Sequence, residues 1–341
     1  MSGIAGAGNW IVDTIKITDG WPNRGELVTI LEERTGGGGA PFNVLTDLHK
    51  LGCGVPLHGV GCIGDDTHGR FVIDHCDANQ IEHSQIRVIP ETVTSYTDVF
   101  TVRGSGERTF FHRRGANALF SPEHVNIEEL RAHGVGLFHF GYLLLLDAMD
   151  ASDEEYGTRA AGLLKRVRDS GIQTSVDVVS EASDRFQRIV RPALPHTDHC
   201  IINEIEAGQV TGLPIRKSDV SVVPEDALKA AAALLELGVN QTVVIHYPEG
   251  AVWIDARGRS AVAHSLTVDP KMIVSSVGAG DAFCAGVLLG IHEGWTPEQA
   301  LELGVLSAAS SLLAASATGG VQSVEEMRAN PALIAAGKQT S

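Results

Sequence analysis

The sequence predicts an α/β protein: a doubly wound, mainly parallel sheet flanked by helices on both faces, with a small β-sheet lid. From about Val135 onward, short apolar runs alternate with stretches whose apolar residues recur at helical spacing. Near residue 100, by contrast, two alternating strands follow one another around a glycine turn with no helix between them. The first pattern implies right-handed crossovers and a parallel core. The second cannot be a further layer of that core, so it is placed as a lid across the ligand edge.

In the layered part, residues 136–140, 172–178, 199–202 and 242–246 read as buried strands. Residues 152–170, 181–190 and 224–237 read as the helices between them, Ser152 and Glu155 standing in capping-box spacing and Gly238 acting as a stop. The Ala- and Ser-rich tract at 303–317 fits a core helix. In the first third, residues 99–102, 104–106 and 108–112 form strand, turn and strand, with 15–17 and 27–31 expected to pair beside them. The chain reads as one domain over about 1–335, with lid excursions at about 14–35 and 93–113.

Composition narrows the function. The 341 residues are 43% hydrophobic and 20% charged, as in ordinary folded proteins, and the net charge of −16 repels phosphate backbones and anionic lipid. Nucleic acid and membrane are therefore not expected as partners. Five scattered cysteines, Cys53, Cys62, Cys76, Cys200 and Cys284, contain no C-x-x-C pair and read as reduced, mostly buried thiols. Residues 1–8 lack the basic region and apolar block of a secretory signal, and no tract has the roughly 18 apolar residues of a membrane span. A cytoplasmic location is expected.

Four segments carry candidate chemistry. In residues 275–286, Gly278, Ala279 and Gly280 leave an uncrowded backbone where a helix begins, so its free N–H groups offer an anion hole. Asp281, in the first turn, is placed to take a proton from a hydroxyl attacking phosphorus in line; it also suits a plain helix start. Asn203 and Glu206 follow a strand and suit a hydrated Mg²⁺, while their spacing equally makes a helix cap and its reciprocating acid. The run Gly36-Gly-Gly-Gly-Ala-Pro-Phe-Asn43 permits close backbone approach to a ligand through Gly39, with the Asn43 amide reading hydroxyls, or is a flexible hinge. Asp13 ends a first strand with a carboxylate suited to paired sugar hydroxyls, or is a turn residue. A fifth segment, Gly59-Val-Gly-Cys-Ile-Gly64, matches G-x-G-x-x-G and supports an NAD(P)-dependent oxidoreductase as the alternative, although Asp65 and Asp66 would repel pyrophosphate there.

Taken together and in order, these segments resemble the PfkB family of carbohydrate kinases, with the ribokinase-like fold. The match runs through Gly8 to Asp13, the glycine run to Asn43, Val60 to Gly69, Arg108 to Phe111, Gly115 to Asn117, Asn203 to Glu206 and Gly278 to Asp281. The resemblance implies ATP-dependent phosphorylation of a sugar or related alcohol. Asp281 is then the base and Gly278, Ala279 and Gly280 the anion hole. Asn203, Ser276, Gly278 and Gly280 lie on the nucleotide, Asn203 and Glu206 hold Mg²⁺ through water, and Asp13, Gly39 and Asn43 face the sugar. Residues 59–64 become a structural turn near the sugar, and a homodimer is implied.

Two departures stand out. Where the family has Asp-Thr and one more residue before Gly-Ala-Gly-Asp, this chain has Ser275-Ser276-Val277, which bears on the monovalent cation many members bind. Where the family has Thr-x-Gly, this chain has Ile245-His246-Tyr247, which bears on the nucleotide contacts and motivates a catalytically inactive sugar- or nucleoside-binding relative as a further alternative. Arg103, Arg108, His112, Arg113 and Arg114 concentrate positive charge in the lid. Alternation turns only part of that cluster toward one ligand, and Asp13 would repel an anion, so the expected acceptor is a neutral, unphosphorylated sugar.

Overall fold

Apolar runs become the strands of one large sheet, and the amphipathic segments between them become its covering helices. The computed structural model describes residues 2–333 apart from 53, 182 and 217–220. In chain order the strands are β1 (Gly3–Gly8), β2 (Ile11–Thr18), β3 (Ile30–Gly38), β4 (Leu57–Gly64), β5 (Ile81–Ile89), β6 (Ser95–Val102), β7 (Arg108–Arg113) and β8 (Val135–Leu143). After the two-residue β9 (Ser152–Asp153) and β10 (Gly157–Thr158) come β11 (Gln173–Val178), β12 (His199–Asn203), β13 (Thr242–Tyr247), β14 (Gly250–Asp255) and β15 (Ser260–His264). The helices are α1 (Ala40–Lys50), α2 (Thr67–Ala78), α3 (Ile127–Ala132), α4 (Asp147–Asp150), α5 (Arg159–Asp169) and α6 (Phe186–Ile189). They continue with α7 (Glu204–Thr211), α8 (Pro224–Glu236), α9 (Ala279–His292), α10 (Pro297–Ser311) and α11 (Val324–Ala329).

Nine strands form the main sheet in the order β15-β14-β13-β12-β11-β8-β1-β4-β5, parallel from β13 to β5 and antiparallel at the β14 and β15 edge. Period-two alternation sends neighbours to opposite faces: Cys200 and Ile202 join one apolar cluster with α5 and α8, while Ile201 joins another with α1, α9 and α10. The fold class is as expected. Because seven adjacent strands run parallel, their carboxyl ends gather at one edge, where ligands of open α/β sheets bind.

Over that edge lies a second sheet, ordered β3-β2-β6-β7, in which β2 pairs parallel with β6 and the outer pairs are antiparallel. The expected hairpin is β6 and β7. The glycine run is no hinge, since Gly36 to Gly38 are the end of β3, opposite Asp13 to Ile11 of β2. Asp13 itself sits in this lid strand; the first strand ends earlier, at Gly8.

The strand expected at 27–31 starts only at Ile30 and runs on to Gly38, so that Ile15 to Ile17 pair with Arg34 to Glu32. Three further expected elements differ. Residues 152–158 make a small antiparallel pair, and the helix starts at Arg159, where the Thr158 side chain accepts the Ala161 N–H. The helix expected at 181–190 shrinks to α6, because turn bonds take the N–H groups before it, Ser183 N–H going to the Glu181 carbonyl and Arg185 N–H to Ser183 Oγ; a 3₁₀ turn over Arg191–His196, with Pro192 and Pro195, follows. Gly59 to Gly64 lie inside the fully buried β4 and not at a turn. A Cβ on Gly61 would come within 2.3 Å of the Trp10 ring, so the glycines there make room for that indole. Cys62, Cys76, Cys200 and Cys284 are buried free thiols, and Cys53 lies outside the described residues. Among the described residues no helix is long and apolar enough to cross a membrane.

Candidate active site

At the centre of the ligand edge is the start of α9. Gly278 is its N-cap with φ 83°, and a Cβ there would fall 2.3 Å from the Ala317 carbonyl oxygen, so only glycine fits. No side chain caps the helix, which leaves its first-turn N–H groups to a ligand. Two cavities flank this segment. One, of about 370 Å³, is lined by Asn203, His246, Tyr247, Ser276, Ala279 and Gly280. The other, of about 650 Å³, lies under the lid and is lined by Asp13, Gly36, Arg34, Arg108, Phe110 and Val277. Ser276 thus faces one cavity and Val277 the other.

Asp281, one turn in, is buried. Its two carboxylate oxygens accept from Tyr142 Oη and Asn43 Nδ2, each at 2.7 Å. Burial raises its pKa, and these two hydrogen bonds hold the rise back. Tyr142 escaped sequence reasoning because nothing local marks it; it is brought in by Asn9, whose Oδ1 accepts the Tyr142 N–H at 2.7 Å. Asn43 lies in α1 and joins Asp281, not the lining of the lid cavity; Gly39 caps the same helix, where a Cβ would strike the Asn9 carbonyl at 1.9 Å. Asp13 does line the cavity. Burial pushes its pKa up to about 6, a Thr97 hydrogen bond lowers it, and the nearby Asp281 raises it further.

Beside them stand two more acids. Asn203 and Glu206 form the reciprocal cap of α7: Asn203 Oδ1 accepts the Glu206 N–H and Glu206 Oε2 accepts the Asn203 N–H, both at 2.9 Å. Asn203 also lines the smaller cavity, so the cap faces a ligand space. Asp177, at the end of β11, was not singled out by any motif. Burial raises the pKa of both Glu206 and Asp177, and the negative charge of Glu206 raises Asp177 further, as does Asp281. Carboxyls crowded this way are what a hard divalent cation relieves.

Of the lid cations, Arg103 and Arg34 share the Glu32 carboxylate at 2.8 Å each. Arg114 pairs with Asp147 outside the cavity. Arg108 donates to Ser275 Oγ at 3.1 Å, and the Val277 N–H donates to the same oxygen at 3.1 Å.

Comparison with known proteins shows the family and agrees with the fold. Residues 2–323 match the family model described as pfkB family carbohydrate kinase. The chain is 23% identical over 314 residues to a ribokinase of Arabidopsis thaliana, covering 90% of this chain and 74% of the relative. The structure of Arabidopsis thaliana ribokinase complexed with ribose and ATP superposes with a TM-score of 0.78 at 20% identity, covering 96% of this chain and 98% of that one. A putative ribokinase II from E. coli in complex with ATP and Mg²⁺ gives 0.75 at 20% identity, with 96% and 98% covered. The G-x-G-x-x-G alternative falls with these findings: its glycines are buried in β4 and the chain matches a kinase family.

Proposed function

This chain belongs to the pfkB family of carbohydrate kinases, and from that premise we propose that it transfers the terminal phosphoryl group of ATP to a hydroxyl of a neutral, unphosphorylated sugar or sugar-like alcohol. The observation that carries the reading is the position of Asp281, in the first turn of the helix whose lead-in residues Ser276 and Val277 each line a different cavity.

In this reading the smaller cavity holds ATP along Asn203, Ser276 and Gly280, and the lid cavity holds the sugar, with Asp13 binding its hydroxyls. Asp281 accepts the proton of the attacking hydroxyl while that oxygen bonds to the γ-phosphorus and the bond to ADP breaks. Gly278, Ala279 and Gly280 present backbone N–H groups to the charge on the transferring oxygens. Asn203 and Glu206, with Asp177 near them, are the groups that fit Mg²⁺ through water; when bound, the ion neutralises phosphate charge. Asn43 and Tyr142 orient the base. The lid excludes water, which would compete as acceptor.

The proteins this chain is similar to support the choice of ligands: one is described with ribose and ATP, another with ATP and Mg²⁺. Arg34 and Arg103 are spent on Glu32, which supports a neutral acceptor. We further read the chain as cytoplasmic and as a homodimer meeting through the lid, where Leu27 and Phe111 are exposed; a single-chain mass in sedimentation would refute the dimer. The deciding test of function is ADP release with a panel of sugars, nucleosides, sugar acids and sugar phosphates. Turnover with a neutral sugar is expected. A salt-sensitive preference for an anionic acceptor, lost in Arg108→Ala, overturns the neutral choice, and ligand binding with no ADP release overturns the kinase reading.

A further inference from the structure

One side chain of the smaller cavity has no part in the reaction just described, and its assignment rests on that cavity holding the nucleotide. His246 stands at the end of β13, where its Cα is the register partner of Asn203 at the end of β12. Side chains paired across parallel strands project to the same face, so the imidazole stands beside the Asn203 amide. Both residues line the cavity with Gly280. A Cβ placed on Gly280 would lie 3.3 Å from His246 Cε1 and 3.8 Å from Nε2, so the ring edge reaches the open first turn of α9. The ring also rests against Phe283, with centroids 5.0 Å apart. Among the described residues, no hydrogen-bond partner meets either ring nitrogen.

We propose that His246 is a phosphate contact of the nucleotide, donating a ring N–H to a phosphate oxygen held at the start of α9. A phosphate oxygen accepts only, whereas an imidazole offers a donor; the Asn203 amide gives its N–H groups to Ser180 and Glu206, so the imidazole of β13 is the side-chain donor that joins the backbone N–H groups of α9. Either protonation state of an imidazole carries at least one ring N–H, which is the donor a phosphate oxygen needs. The sequence departure at Ile245-His246-Tyr247 therefore puts a side-chain donor into the nucleotide cavity.

The test is binding of ATP with Mg²⁺, and separately of adenosine, to the full chain by calorimetry, with melting temperature recorded. His246→Phe keeps a ring against Phe283 but has no donor; His246→Gln restores an amide N–H. ATP affinity is expected to fall about tenfold or more in the Phe variant, as for a lost hydrogen bond to a charged group. Adenosine affinity is expected to stay unchanged, and the Gln variant to recover most of the loss. Unchanged ATP affinity in His246→Phe, or equal losses for ATP and adenosine, overturns this assignment alone. A wild-type chain that binds no ATP overturns it together with the nucleotide reading of the cavity.

Discussion

Asn43 and Asp281 are 238 residues apart in the chain, yet the Asn43 amide donates to the Asp281 carboxylate at 2.7 Å. The bond joins α1, which follows directly on the lid strand β3, to α9, which carries the base. It favours the ionised carboxylate, and so opposes the burial that raises the pKa of Asp281.

Removing that donor has a signed consequence. In Asn43→Ala the Asp281 carboxyl loses one of the two bonds that hold its pKa down, so the pKa rises further. The acid limb of the kcat profile should move to higher pH, and Tyr142→Phe should move it the same way. A fall in kcat with an unshifted profile would mean that Asn43 acts on the sugar and not on the base.

Asp281→Asn should lower kcat by about 10² or more, the low end for removing a positioned general base, with ATP affinity unchanged. Steady-state kinetics beside calorimetric ATP binding reads both. Turnover near that of wild type would remove Asp281 from the chemistry.

The cap that Glu206 forms and the Mg²⁺ role proposed for it can be separated by substitution. Glu206→Gln keeps an oxygen for the Asn203 N–H and should preserve the melting temperature, yet raise the half-activating Mg²⁺ concentration about tenfold, as for a lost outer ligand. Glu206→Ala should raise it too and cost about 1 kcal/mol through the broken cap. An unchanged Mg²⁺ requirement in both variants reduces the residue to a helix cap.

Asp13 should trade stability for binding. Its pKa is raised by burial from an ordinary 3.8 to about 6. Below the lower value both folded and unfolded chains hold the proton; between the two only the folded chain does, so this contribution to stability is lost as pH rises through that window. Asp13→Asn should therefore gain about 1–3 kcal/mol over wild type at pH 8 and little at pH 4, while losing sugar affinity. Urea unfolding at both pH values decides, and a gain of equal size at both contradicts the linkage.

The lid should slow its exchange when sugar binds. Hydrogen exchange over residues 99–112 is expected to fall with a verified substrate and not with ATP alone. Equal exchange in all states would mean that the sheet does not close.

Much of this was legible in the sequence, for physical reasons that differ by residue. Alternating strands and helices declared the parallel core because period two and period 3.6 leave distinct apolar patterns. The helix start at Gly278 to Asp281 was legible because glycines leave the backbone uncrowded there and a carboxylate suits a first turn. Tyr142 and Asp177 were not, since each is an ordinary residue at a strand end whose role arises only when the carboxyl ends of β8, β11 and β12 meet. The helix expected at 181–190 keeps only Phe186–Ile189, because Ser183 offers its own hydroxyl to the Arg185 N–H, a local bond that apolar periodicity does not register. Gly59 to Gly64 misled as a fingerprint because glycine lets a loop approach a phosphate and equally lets a strand lie flat against an indole; only the position of Trp10 tells them apart.

The parallel pairing of β2 with β6 gives the lid a mechanical character. Its two halves come from separate excursions of the chain, zipped together along eight residue pairs from Ile11 with Ser95 to Thr18 with Val102. Short backbone links tie the plate to the core, among them Gly8 to Trp10 and Gly39. Gly39 is also the N-cap of α1, so the sheet over the larger cavity and the amide that grips Asp281 share one unbroken stretch of backbone, and a shift of β3 has a direct route to that carboxylate.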